Sequence, residues 1–295
     1  MKKFLDELLA SLNLAEVVEL NLDYDALADF ATDKLQNLQQ MRPLLHLQTL
    51  VVSGHEIKSL EGLLHLPELS HIDLSHNQLQ KVASIAQWPL LHIADFSYNE
   101  IDSVRAFANH AKLETLLLAH NNIATLQGLG PLPALRTLSL SDNKITDIEP
   151  VLECPALESL YIKKTQVRDL APLTQLPNLK HLYVSVHSVV QLQPLQHVHT
   201  LQSLHISSKS LSSLTGWAPP ANVQQLAVTY CPHLARIDNL EPFEKLTKLS
   251  LAYNGLKDLD FLYDLKTLHY LDVRGNPGAA NLDVRRLVHI PTVRV

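Results

Sequence analysis

Glycine and cysteine are both scarce, with eight and two copies in 295 residues. So few glycines leave little to build phosphate-cradling loops, and neither G-x-G-x-x-G nor G-x-S-x-G occurs. Cys154 and Cys231, far apart in the chain, read as unpaired thiols of a reducing compartment. No run of eighteen apolar residues is present, which excludes a membrane-spanning helix. Basic runs are missing too. The formal charge is −6, and residues 1–40 hold eight acids against three bases. Nucleic acid, which demands clustered Lys and Arg, is therefore not an expected partner. There is no Asn-x-Ser/Thr acceptor. The opening Met1-Lys2-Lys3-Phe4-Leu5 starts like an export signal, but Asp6, Glu7 and Glu16 interrupt it. The expected location is cytoplasmic.

What is abundant is leucine at a fixed interval. Leu47, Leu69, Leu91, Leu113, Leu135, Leu157, Leu179, Leu201 and Val223 follow one another at 22 residues; one extra residue intervenes, and Leu246 and Leu268 resume the step. Within a repeat the pattern is L-x-x-L-x-L-x-x-N-x-L/I, as in Leu113, Leu116, Leu118, Asn121 and Ile123. The first, fourth and sixth positions bracket a short strand and point to a core, and later apolar residues return the chain to the same core. One repeat cannot bury such a face alone, so neighbours must stack. Asn at the ninth position can satisfy the backbone groups left over where the strand turns outward.

Eleven such repeats over 47–276 resemble the leucine-rich-repeat family, in the short 22-residue class of phosphatase-regulator-like and internalin-like proteins. The resemblance implies an α/β solenoid, a right-handed horseshoe with a parallel sheet on its concave face and capped ends, whose members mostly bind proteins there. Residues 1–46 are expected to form an acidic N-terminal cap. It would comprise a helix over 4–12, an atypical strand near Val17, Leu20 and Leu22, and a second helical segment through Leu27, Phe30, Lys34, Leu38 and Met41. Residues 277–295 are expected to cap the other end.

The ninth position departs from its rule in a block. It reads His55, Asn77, Asn99, Asn121, Asn143, Thr165, His187, Lys209, Cys231, Asn254 and Asn276. Lysine cannot accept a hydrogen bond, so the ladder must change there.

Positions two, three, five, seven and eight should lie on or beside the concave face. Six of eight tyrosines fall on them: Tyr98, Tyr161, Tyr183, Tyr230, Tyr253 and Tyr270. Seven of sixteen histidines do as well, among them His71, His76, His120, His181 and His205. Strand propensity accounts for part of this excess, not for the choice of outward positions. Exposed aromatics of this kind are enriched at protein interfaces. Asp73, Asp95 and Asp142 supply negative charge; Lys163, Lys164, Lys180 and Arg274 supply positive charge.

Catalytic and metal signatures fail on inspection. His55-Glu56 begins H-E-x-x-H, but Ser59 stands where the second histidine belongs. His76 and His120 share a column two rungs, or about 10 Å, apart, too far to hold one zinc. Cys154, Trp88 and Trp217 fall at core or outer-turn positions. The expectation is a non-enzymatic protein-interaction module without cofactor, monomeric by itself and not a membrane protein. A bacterial immunity protein or inhibitor of a toxin or enzyme, a scaffold, and a secreted or host-directed effector are the specific versions.

Overall fold

The computed structural model describes residues 2–27, 33–39, 44–185, 192–214, 217–237 and 244–295. The chain forms two compact units, Met1–Ile145 with Glu149–Leu157, and Thr146–Ile148 with Glu158–Val295.

The N-terminal unit opens with helix α1 (Lys2–Ser11), which buries Leu5 and Leu9, one turn apart, and leaves Asp6 and Glu7 in solvent. Six strands follow: β1 (Glu19–Asn21), β2 (Thr49–Val51), β3 (His71–Asp73), β4 (Ile93–Asp95), β5 (Thr115–Leu117) and β6 (Thr137–Ser139). They pair in parallel and in chain order. Register places Leu20, Leu50, Ile72, Ala94, Leu116 and Leu138 in one buried row. Ala94 is the small member of this row; Phe96 and Phe107, both fully buried, meet edge to face at 5.6 Å.

The returns carry short 3-10 helices, at Glu61–Leu63, Ala83–Gln87, Arg105–Phe107 and Glu149–Glu153. A 3-10 helix rises about 2.0 Å per residue against about 1.5 Å for an α-helix, so it crosses the back of a 22-residue repeat with fewer residues. Of the second helical segment expected near the N-terminus, the stretch 33–39, with Lys34 and Leu38, is not α-helical. There the Leu35 N–H is taken by His55 Nδ1 at 3.2 Å and the Leu35 carbonyl by the Glu56 N–H at 2.9 Å, which ties the segment to the next repeat. Phe30 and Met41 lie outside the described residues.

The C-terminal unit contains β7 (Ser159–Ile162), β8 (His181–Ser185), β9 (Ser203–Ser207), β10 (Gln225–Thr229), β11 (Lys248–Ser250), β12 (Tyr270–Asp272) and β13 (Thr292–Arg294). These too are parallel and sequential. β13 was not anticipated, although Ile290, Val293 and Val295 repeat the first, fourth and sixth positions 22 residues after Leu268. No helix among the described residues is long and apolar enough to cross a membrane.

The ninth-position ladder explains the strand lengths. Asn121 is typical: Oδ1 accepts the Ile101 N–H of the preceding repeat at 2.9 Å, and Nδ2 donates to the Phe96 and Leu118 carbonyls at 2.9 and 3.1 Å. His55 reproduces both functions, since Nε2 reaches the Leu22 carbonyl at 2.7 Å while Nδ1 takes Leu35. Thr165 manages only the donor half, to Ile162 O at 3.0 Å. Lys209 turns out to solvent, and buried Ser208 accepts the Ser210 and Leu211 N–H groups at 3.2 and 3.0 Å instead. Cys231 is buried with its thiol 3.4 Å from the Thr229 carbonyl, and its own N–H goes to Asn254. His187 lies outside the described residues. Without asparagine to turn the chain outward, β8, β9 and β10 run on to the seventh position and are five residues long, whereas asparagine repeats stop at three. The block of departures thus lengthens three strands in one place.

Candidate interaction surface

The face of each sheet turned away from the core carries the outward side chains, and its geometry differs by position. Position seven is not an exposed one: Ser53, Ser75, Ser97, Ser185, Thr229 and Ala252 are buried there. Small residues fit because neighbouring strands leave no room. Lys163 and Arg274, the long exceptions, are half-buried.

Position eight is a left-handed turn in most repeats, Ser208 being an exception. Backbone φ lies between 53° and 59° at His76, Tyr98, His120, Asp142, Lys164, Tyr230 and Tyr253, and glycine takes the same place at Gly54 and Gly275. The bent backbone sends its N–H to the seventh-position carbonyl of the next repeat, as His76 to Ser97 at 2.9 Å and Tyr98 to Ala119 at 2.8 Å. Left-handed φ at a bulky L-residue costs about 1–2 kcal/mol, so placing rings there opposes stability. Sequence reasoning missed this turn; Gly54, Gly275 and Asp142 at one register were its only signal.

In the N-terminal unit the eighth-position rings form a column. His76 and Tyr98 stack at 4.0 Å and Tyr98 and His120 at 3.9 Å, and His120 Nε2 meets the Asp142 carboxylate at 3.3 Å. Beside it Asp73 and Asp95 are register partners, each carboxylate accepting the N–H two residues on, at Ser75 and Ser97, both at 2.8 Å. Burial pushes the Asp95 carboxyl above its ordinary pKa, and Asp73 adds to the rise. His71 and His92 stack at 6.4 Å.

In the C-terminal unit a column forms at position five. Tyr161 and Tyr183 stack at 4.5 Å, and Tyr183 meets His205 at 5.5 Å. Lys163 Nζ lies over the Tyr183 ring at 5.2 Å, and burial lowers its pKa. Burial, with Lys163 nearby, pushes His205 down to about 4, so its imidazole is neutral at pH 7. Burial raises Tyr161. Tyr230 and Tyr253 make a second stack at 4.9 Å in the left-handed turns. His181 is half-buried on β8, and Lys180 pairs with Glu158 at 2.8 Å. At the far strands Arg274 holds Asp272 at 2.6 Å; burial alone would raise that carboxyl, but the hydrogen bonds from Arg274 bring it below its ordinary value. Tyr270 lies 3.4 Å from the same carboxylate, under Arg294 at 5.6 Å.

The residues singled out by sequence therefore fall into groups by unit: His71, Asp73, His76, Asp95, Tyr98, His120 and Asp142 in the first, and Tyr161, Lys163, Lys164, Lys180, His181, Tyr183, His205, Tyr230, Tyr253, Tyr270 and Arg274 in the second. Lys248 and Arg294, not singled out, share the second face. Among the described residues no cluster of three or more His, Cys, Asp or Glu has the geometry to hold a metal.

The family pattern described as Leucine Rich repeats (2 copies) matches residues 111–153 and 133–175. An internalin, InlF, of Listeria monocytogenes superposes over 99% of this chain and 94% of its own with a TM-score of 0.72, at 19% identity. The chain has the leucine-rich-repeat fold. A leucine-rich-repeat protein from Leptospira interrogans matches over 99% of this chain and 98% of its own, with a TM-score of 0.58 and 18% identity. The functional domain of InlJ from L. monocytogenes, which includes a cysteine ladder, matches over 94% of this chain and 67% of its own (TM-score 0.59, 19% identity). Here a single cysteine, Cys231, occupies the ladder position. No curated protein sequence matches the chain.

Proposed function

We propose that this protein is a non-enzymatic module that takes a protein partner on the outward faces of its sheets. The observation that carries the reading is the placement of rings at strained positions. Tyr98, Tyr230 and Tyr253 are 44%, 60% and 45% exposed at left-handed backbone, where they add little to the core. Strain of this kind concentrates at sites of function. Stacking between rungs fixes each ring before a partner arrives, so little side-chain entropy remains to be lost on binding. The flanking acids and lysines supply orientation and encounter rate. Two buried thiols fit a reducing, cytoplasmic setting. The partner's identity then separates inhibitor, scaffold and exported effector.

Photo-crosslinking tests the reading. A benzophenone amino acid replaces Tyr98 or Tyr161 in one set of proteins and Asp147, on an outer turn, in another. Crosslinked partner from positions 98 or 161 and none from 147 is the expected result. Crosslinks only from 147 would overturn it.

A further inference from the structure

The fifth-position row of the C-terminal unit stops being aromatic partway along. Register runs Tyr161, Tyr183, His205, Ala227, Ser250, Asp272, Arg294, one residue per strand from β7 to β13. Three rings are followed by two short side chains. Above Ala227 and Ser250 lies a cleft of about 180 Å³, walled by Tyr183 and His205 on one side and by Lys248 and Tyr270 on the other. That volume is below the 300–1,000 Å³ or so of drug-sized ligand pockets, and suits one amino-acid side chain.

We propose that this cleft receives an aromatic side chain carried on an acidic segment of the protein partner; the inference rests on the reading of the outward face as the binding surface. A ring seated over Ala227 would stand one rung, about 4.8 Å, beyond His205, within the 4.5–7 Å or so at which aromatic rings pair. It would extend a column whose last step, Tyr183 to His205, is 5.5 Å. Neutral His205 offers that ring a π-face without a charge to desolvate. The charges around the cleft select what flanks the ring. Lys180 is matched by Glu158 and Arg274 by Asp272. The other charged groups at the cleft are basic: Lys248 on its wall, and Arg294 over the Tyr270 ring at 5.6 Å. A partner arginine or lysine would meet like charge; aspartate and glutamate beside the ring would meet the opposite charge.

The probes are three capped peptides, Glu-Asp-Tyr-Glu-Asp, Glu-Asp-Ala-Glu-Asp and Lys-Lys-Tyr-Lys-Lys, titrated to millimolar concentration into the isotope-labelled full chain and followed by amide NMR. The acidic tyrosine peptide should shift the amides of Ala227 and Ser250. The alanine peptide should bind at least tenfold more weakly, and the lysine peptide should leave both amides in place. Ala227→Trp, which fills the cleft, should abolish the shifts with the rest of the spectrum retained, and Lys248→Glu should weaken binding severalfold. No shift at Ala227 with the acidic tyrosine peptide, or equal binding by the alanine or lysine peptide, overturns the proposal. If crosslinking from position 161 succeeds while the peptide fails, the cleft falls and the binding face stands. Peptide shifts at Ala227 without partner crosslinks from 98 or 161 uphold the cleft and count against the wider face.

Discussion

Asn121 accepts the Ile101 backbone N–H at 2.9 Å across the boundary between two repeats. The same amide donates to the Phe96 and Leu118 carbonyls, so one side chain satisfies buried groups in both repeats. Asn121→Ala should cost about 1–3 kcal/mol through groups left unsatisfied. Leu116→Ala, in the fully buried row, should cost about 2–5 kcal/mol through the cavity it leaves. Denaturant titration checks both; an unchanged midpoint for Leu116→Ala would mean the register is wrong.

Removing residues 1–46 should expose the edge of β2 and the buried side chains Leu47 and Leu50. Aggregation or broadened, non-cooperative unfolding is expected. Light scattering and a thermal melt decide it, and a monomeric, cooperative truncation would contradict the capping role.

His205 links stability to pH. Its folded pKa, about 4, lies below the ordinary 6.5, so between those values the unfolded chain binds more protons. Stability from this group is present above pH ~6.5 and is lost as pH falls toward 4. His205→Gln should flatten the fall over that window, seen in melts from pH 7 to 4. A His205 ring titrating near 6.5 by NMR would refute the burial argument.

The thiols shift the other way. Burial pushes Cys154 up to about 12 and Cys231 to about 11, from an ordinary value of 9. Their contribution is full below pH ~9 and is lost as pH rises toward those values. At pH 8 both should resist a thiol reagent in the folded protein and react fully in denaturant. Fast labelling of the native chain would show that they are not buried.

Much of this was legible from leucine spacing, because the core of a solenoid is written once per repeat. Leu47 to Leu268 place the rows, and Asp73–Asp95 and Tyr161–Tyr183 follow as register partners. What spacing hid was local. His55 looks like a defect but bonds as asparagine does, because an imidazole also has a donor and an acceptor. Position seven alternates correctly for exposure yet is buried by crowding between strands. Position eight has a conformation that His, Tyr and Lys do not announce. The strand β13 was missed for a different reason: Ile290, Val293 and Val295 carry the pattern without a leucine.

The most direct test of the binding face is calorimetry with the crosslinked partner, once purified, on Tyr161→Ala/Tyr183→Ala and on Asp147→Ala. The double variant loses a stacked pair and so should lose about 1 kcal/mol of stability. Its affinity should fall by more than about 30-fold, equivalent to about 2 kcal/mol. Replacing Lys163, Lys164 and Lys180 should act on the association rate and its salt dependence instead. Asp147→Ala should bind as the parent does. Unchanged affinity in the double variant, with binding abolished by Asp147→Ala, would contradict the account and move the site to the outer turns.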